Sequence, residues 1–184
     1  MKKRKFIFSI FKVFLLFLIK IFSFNKAFSK TKNTYILFHE DSLNYKITEN
    51  HPEKPERIRF LLDEINKTSL KQNLVKINLI NFDHDPYFWI KKIHSSEHII
   101  SLKEINPKGE RASKTATILC LEGIDRIINN KAKNIFCLVR PPGHHALNTG
   151  KIEGFCFYNH IAIAAKYIQL KYKLKKILIV DWDY

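Results

Sequence analysis

Short apolar runs alternate along the chain with longer segments in which apolar residues recur every three or four positions. Three of the runs are rich in β-branched and aromatic residues, which predicts strands: residues 34–38 (TYILF), 134–139 (NIFCLV) and 175–184 (KKILIVDWDY). The middle run is apolar without interruption after Asn134, so we expect it to be buried on both faces of a sheet.

Helical spacing fills the interval between the first two strands. Pro55 suits the first turn of a helix, and four apolar residues follow it at helical spacing: Ile58, Leu61, Leu62 and Ile65. Asp85 before Pro86 predicts the start of a second helix, which runs through Trp89 and Ile93 and reaches Ile100.

Two further helices are predicted in the remainder of the chain. The sequence NPKGE (106–110) indicates a loop, and helical spacing follows over residues 115–128 and again over residues 160–172. Because strands alternate with helices, we expect an α/β domain with a mostly parallel sheet flanked by helices. In such sheets functional groups gather beyond the carboxyl ends of the strands.

The composition fits one globular domain. The chain has 184 residues, of which 46% are hydrophobic, and this is enough for one buried core. Its net charge of +15 is unevenly distributed, because residues 1–32 hold nine of the 32 Lys and Arg residues and none of the 17 Asp and Glu residues. The excess comes largely from the N-terminus, and we therefore expect no nucleic-acid partner.

The N-terminal segment has the pattern of a leader. A basic cluster precedes an apolar stretch over residues 6–24, and residues 27–29 (AFS) form a passable cleavage site. Lys12 and Lys20 interrupt the stretch before it reaches the roughly 18 residues that a spanning helix needs. We expect residues 1–30 to be a signal peptide or a membrane anchor, unless they lie upstream of the true start. The protein would then be exported or membrane-associated if the leader is used, and cytoplasmic otherwise.

The cysteines give little information about function. Cys120, Cys137 and Cys156 include no C-x-x-C pair, and so they lack the spacing of a zinc finger or a redox motif. We expect free, buried thiols, although export would permit a disulfide.

Residues that can carry chemistry follow both of the later strands. His144 and His145 come after the sequence VRPPG, and Asp181 and Asp183 come after ILIV. Residues two apart in a strand point to the same face, so the two carboxylates repel each other unless donors or a cation lie between them. The two strand ends predict carboxylate–imidazole hydrogen bonds and a divalent metal. The alternative is a pair of surface histidines and a solvated strand end.

Three ordered motifs resemble the histone deacetylase and acetylpolyamine amidohydrolase family, in its class II form. They are RPPGHHA (140–146), GFCFYNHIAIAAKY (154–167) and ILIVDWD (177–183). HPEKPERI (51–58) matches the family's N-terminal motif, and IHSSEHIISL (93–102) is similar to a further segment. The resemblance covers residues 34–184. It implies an arginase-like α/β fold. It also implies an activity, the Zn²⁺-dependent hydrolysis of acetyl-lysine or related acetylated amines.

The resemblance also implies roles for the strand-end residues. His144 would stabilise charge while hydrogen-bonded to Asp181, and His145 would be the general base, which suits an imidazole near neutral pH. Asp183 would be the first zinc ligand. Asp181 would also contribute to a monovalent-cation site.

The loop between the histidines and the last predicted helix would form the substrate tunnel. Gly154 and Phe155 resemble its wall, and Cys156 resembles a thiol beside the metal. A rigid turn over residues 140–143 would project both imidazoles to one spot. His160 stands where the family usually has asparagine or aspartate, and we interpret it as a polar residue at a helix start.

The resemblance stops inside the family's metal motif, D-x-D-x-H-H-G. Tyr184 occupies the variable position after Asp183, and the sequence ends before the histidine ligand, the later aspartate ligand, the acid that orients the base and the catalytic tyrosine. We expect residues 33–184 to be a truncated deacetylase-like domain that is inactive alone, with unpaired edges and apolar faces on its sheet. The alternatives are a non-catalytic exported or anchored remnant, and one half of a two-chain enzyme with a separately encoded C-terminal half.

Overall fold

The computed structural model describes residues 34–48, 50–79, 82 and 85–183. The predicted leader, residues 1–30, lies outside them. No helix within the described ranges is long and apolar enough to cross a membrane.

Three parallel strands form the sheet in this part of the chain. They are β1 (Thr34–Phe38), β2 (Leu74–Lys76) and β3 (Asn134–Leu138), in the order β2-β1-β3. In the register, Ile36 of β1 lies opposite Leu74 on one side and Phe136 on the other. The predicted α/β fold with a parallel sheet is confirmed.

Five α-helices accompany the sheet in the described residues: α1 (Glu56–Asn66), α2 (Pro86–Ile90), α3 (Ser96–Ile105), α4 (Pro107–Ile128) and α5 (His160–Tyr172). Two short 3₁₀ helices, Glu40–Leu43 and Ser69–Asn73, lie in the connections. The longest helix, α4, packs against β3 and against α5, and α5 leads from the predicted site into the helical layer.

The loop predicted at NPKGE was wrong, because these residues begin α4. The Asn106 side chain accepts a hydrogen bond of 2.8 Å from the Gly109 backbone N–H, and Pro107 takes the first helical position, where a missing N–H costs nothing. Gly109 lies against Phe157, whose ring would be 2.3 Å from a Cβ placed there. The glycine that suggested a loop therefore makes room for an aromatic ring.

The single helix predicted from Asp85 toward Ile100 is two helices. Asp85 caps α2 as expected, since its side chain accepts from the Tyr87 N–H at 2.9 Å. The break follows from Ser95, whose hydroxyl accepts from the His98 N–H at 3.1 Å and starts α3.

The last predicted strand is not paired. Residues 173–183 have no strand assignment, and Leu178, Val180 and Trp182 are exposed. The outer edge of β3 is therefore open within the described ranges, and Phe136 is 56% exposed. The prediction that β3 is buried on both faces was wrong. The open edge of β3 and its exposed Phe136 agree with the expectation of an unpaired sheet edge with an apolar face.

The buried core lies in two clusters. The smaller joins the sheet to α1 through Ile36, Phe38, Leu138 and Ile58. The larger lies among α2–α5 and the segment before α5, and includes Trp89, Ile90, Leu102, Leu121, Phe157, Tyr158, Ile163 and Tyr167. Phe157 and Tyr158 thus anchor the segment with the predicted tunnel residues in the main core.

Candidate metal and active site

The turn after β3 presents the two histidines side by side. The ring centroids of His144 and His145 are 4.1 Å apart. Gly143, which precedes them, has no space for a side chain, because a Cβ there would lie 2.5 Å from the Tyr158 carbonyl oxygen and 2.7 Å from Cδ2 of His160. The backbone of the turn therefore packs directly on the start of α5.

A buried ion pair anchors the beginning of this turn. The guanidinium of Arg140 donates to both carboxylate oxygens of Glu53, with 2.7 Å between Nη2 and Oε2, and Nη1 donates to the Ser42 carbonyl at 2.6 Å. The Tyr45 hydroxyl donates to Glu53 Oε2 at 2.7 Å. Both charged side chains are buried. Glu53, which belongs to the HPEKPERI motif, is thus the charged partner of the arginine that begins the turn.

One imidazole lies between two carboxylates. His144 Nδ1 is 2.9 Å from Asp181 Oδ2, and His144 Nε2 is 3.2 Å from Asp183 Oδ2. The hydrogen bond from His144 lowers the pKa of Asp181, and the bond that Asp181 accepts from the Asp183 N–H adds to this. A neutral imidazole has one N–H and can donate to only one of the two carboxylates. The 3.2 Å contact to Asp183 is therefore not a hydrogen bond while Nδ1 of the neutral ring carries the hydrogen.

The same residues form a group with metal-ligand chemistry. One side-chain atom each of His144, His145 and Asp183 lies within 4.8 Å of the others. Imidazole nitrogen and carboxylate oxygen are both ligands of zinc, so the donor set fits this ion in type. The structure brings together the four predicted strand-end residues, while their separate roles in catalysis and metal binding stay predictions.

The predicted tunnel residues lie beside His145. Gly154 has a φ of +50°, and a Cβ there would be 2.5 Å from His145 Cδ2, so the residue lies flat against this imidazole. Phe155 also has a positive φ, +65°, and its ring meets that of His51 edge to face at 4.5 Å. Cys156 is a free, buried thiol whose pKa is raised by burial. The Gly154 backbone therefore packs against the His145 ring, and the Phe155 ring packs against the His51 ring.

Sequence reasoning missed the groups behind the site. His94 Nε2 accepts from the Asn159 N–H at 2.9 Å, and Asn159 Nδ2 donates to the His144 carbonyl at 3.3 Å. Asn159 also caps α5 through the Ala162 N–H. His160 does start this helix, but it is buried and does not supply the cap. Periodicity gave no signal for the bond between Asn159 and His94, which lie 65 positions apart, whereas the Asn159 cap of α5 is a local signal that could have been found.

Two of these buried histidines, His94 and His160, should make the stability of the fold decrease at acidic pH. Burial lowers the pKa of His94 and of His160 to about 4, whereas an unfolded histidine titrates near 6.5. Between these values the unfolded chain binds more protons, so the free energy of unfolding should fall as the pH drops from about 6.5 toward 4. Each group adds a slope of up to about 1.4 kcal/mol per pH unit.

Urea denaturation at several pH values between 5 and 7, where most carboxylates remain charged, measures this slope. The double variant His94→Asn/His160→Asn should flatten the dependence even though it is less stable at pH 7. A parent chain with equal stability at pH 5 and pH 7 would contradict the prediction.

Comparison with known proteins gives one consistent match. The model of the histone deacetylase domain matches residues 51–184. Histone deacetylase 6 of Caenorhabditis elegans is 30% identical over 180 residues, which cover 84% of this chain and 18% of that protein. Human polyamine deacetylase HDAC10 is 27% identical over 82% of this chain and 25% of its own length. A probable deacetylase of Archaeoglobus fulgidus is 28% identical over 82% of this chain and 45% of its own.

A solved structure matches as well. The crystal structure of the HDA15 HD domain superposes with a TM-score of 0.65 at 27% identity, and the match covers 77% of this chain and 44% of that one. The chain thus spans less than half the length of each of these four proteins. The similarity confirms the deacetylase-like α/β fold.

Proposed function

This chain belongs to the histone deacetylase family, and we propose that it carries the N-terminal part of a zinc-dependent site that removes acetyl groups from amines. The observation that supports this is the group of His144, His145 and Asp183 within 4.8 Å, with Asp181 bonded to the first imidazole. The substrate class we propose is an acetylated lysine or polyamine. Two of the matched proteins are named for histone and polyamine deacetylation.

The two imidazoles would divide the proton chemistry. His145 is exposed beside the wall formed by Gly154, and we assign it as the base that accepts a proton from water and passes it to the leaving amine. His144 keeps its Nδ1–H on Asp181, so its Nε2 faces Asp183 and the reacting centre. Zn²⁺ held by Asp183 would supply the electrophile that acidifies water and polarises the acetyl carbonyl.

The wall beside His145 suits a narrow aliphatic chain. Gly154 packs its backbone against the His145 ring, and Phe155 presents a flat, exposed ring that His51 contacts edge to face. We propose that the methylene chain of a lysine or polyamine runs along this ring in the completed domain. Such a contact favours a linear amine, carried by a peptide or by a polyamine.

We propose that the other zinc ligands come from a C-terminal part of the domain, either continuous with this chain or separately encoded. The exposed apolar residues support this, since Phe136 on β3 and Leu178, Val180 and Trp182 in the last segment would be covered by further strands. A binding protein without turnover, anchored or exported, is the alternative. A metal measurement and an activity measurement separate the two.

Zinc is expected to bind these 184 residues orders of magnitude more weakly than it binds a complete site. Catalytic zinc normally has three protein ligands, whereas the resemblance identifies only Asp183 as one here. Isothermal titration, with Asp183→Asn as the matched variant, measures the difference, and the substitution should remove the remaining specific binding. Stoichiometric zinc that survives dialysis against a mild chelator would refute this ligand count.

A further inference from the structure

His160 lies directly behind the turn that carries the two histidines. Its side chain is only 4% exposed, and its Nε2 lies 3.3 Å from the Pro141 carbonyl oxygen. Because a carbonyl only accepts, Nε2 carries the hydrogen of this bond. Cδ2 of the same ring closes the space beside Gly143, where a Cβ would be 2.7 Å away. The imidazole therefore both bonds to the turn and packs against it.

The opposite side of this ring is held by α4. His160 Nδ1 lies 3.2 Å from the Thr117 hydroxyl, and that hydroxyl is also 3.2 Å from the Ser113 carbonyl oxygen. The Thr117 hydroxyl has one hydrogen, which it donates to the Ser113 carbonyl or shares with Nδ1 of the ring. Nδ1 thus lies against α4 while Nε2 bonds to the turn, and the ring connects a buried helix to the turn.

We propose that His160 is a positioning residue, whose hydrogen bond to the Pro141 carbonyl sets the direction in which His144 and His145 leave the turn. It touches no reacting group and acts through the turn. Asn159 provides a second hydrogen bond to the turn, because its side chain donates to the His144 carbonyl at 3.3 Å. The significance for catalysis rests on the proposed function, whereas the placement of the two rings can be tested without it.

Two isosteric substitutions separate the bond from the bulk of the side chain. Glutamine carries an N–H at about the position of the histidine Nε2, whereas asparagine reaches only as far as Nδ1. His160→Gln therefore retains a donor for the Pro141 carbonyl, and His160→Asn loses it. Asparagine is also a residue that the resemblance gives for this position in the family, so the bond from Nε2 is a feature of this chain.

The test is carbethoxylation of the full chain by diethyl pyrocarbonate at pH 7, with the rate at each histidine read by mass spectrometry. In the parent chain His144 should react slowly, because its Nδ1 is bonded to Asp181 and its ring is partly covered. His160→Asn should increase the rate at His144 about tenfold, the scale of one lost hydrogen bond. His160→Gln should leave that rate within about twofold of the parent.

His98 serves as the internal control for general loosening. It is buried and bonded to the Phe157 carbonyl and the Gly150 N–H, so a chain that is merely destabilised reacts faster there as well. An unchanged rate at His144 in His160→Asn, equal rates in the two variants, or a parallel rise at His98 would each overturn the proposal. An absence of deacetylation in the completed enzyme would refute the proposed function and leave this result standing.

Discussion

A polypeptide of these 184 residues is expected to show no detectable hydrolysis of acetyl-lysine peptides or acetylpolyamines, with or without added Zn²⁺. His145 and His144 are in place, but imidazoles do not hydrolyse an unactivated amide without an electrophile. Metal activation lowers the pKa of bound water to about 7, far below that of bulk water, so its loss removes many orders of magnitude of available nucleophile. The tyrosine that the resemblance places beyond residue 184 would add an oxyanion donor worth typically about 100- to 1000-fold.

Supplying the C-terminal part of a deacetylase domain, fused or as a second chain, should restore turnover. In the restored enzyme His145→Ala should abolish activity, because it removes the residue that we propose as the general base. Release of acetate, measured with and without a chelator, is the readout, and the C-terminal part alone is the control. Chelator-sensitive hydrolysis by the 184 residues alone, lost in His145→Ala, would show that they form a complete site.

Removing one partner of the Arg140–Glu53 pair should cost about 3–5 kcal/mol of unfolding free energy, a large part of the 5–15 kcal/mol of a typical domain. Arg140→Met leaves the buried Glu53 carboxylate with the Tyr45 hydroxyl as its hydrogen-bond donor and the exposed Arg57 guanidinium, 3.7 Å from Oε1, as its only nearby charge. It also frees the Ser42 carbonyl, which accepts from Nη1 at 2.6 Å. Urea denaturation at pH 7 measures the loss.

The double variant Arg140→Met/Glu53→Gln is the matched control. It removes both charges, so it should be more stable than Arg140→Met alone, because no carboxylate is left unpaired. The exposed pair of Arg59 and Glu56 provides a second comparison, and Arg59→Met should lower stability far less than Arg140→Met does. A loss below about 1 kcal/mol in Arg140→Met would show that water reaches the site.

Local sequence signals predicted the elements whose ends depend on neighbouring residues. β1 has the predicted bounds, Thr34–Phe38, and Asp85 caps the helix at Pro86 as its side chain suggested. The same reasoning failed at Gly109, because a glycine in NPKGE indicates a loop unless the ring of Phe157, almost 50 residues later, is known to occupy its space. Residues adjacent in sequence carry no information about a contact between positions so far apart.

The candidate site also contains residues that the sequence predicted and residues that it did not predict. The sequence predicted that His144, His145, Asp181 and Asp183 lie together, on the expectation that two parallel strands end at one edge of the sheet. The four side chains do lie together, although residues 173–183 have no strand assignment. The residues that support the turn could not be found from the sequence. Glu53 lies 87 positions before Arg140, and His160 looks like an ordinary polar helix start until the turn is seen against its ring. Residues that make the site rigid are defined by packing, which no spacing rule encodes.

The uncovered last segment gives the protein an optical reporter at the site itself. The chain has two tryptophans, and Trp182, between the two aspartates, is 90% exposed, whereas Trp89 is buried against Tyr167. Solvent quenchers such as acrylamide reach the first indole and not the second. Fluorescence emission from Trp182 would shift to shorter wavelength when a protein surface covers it, with Trp89 as a constant background. Assembly of the site can thus be followed without a label and without turnover.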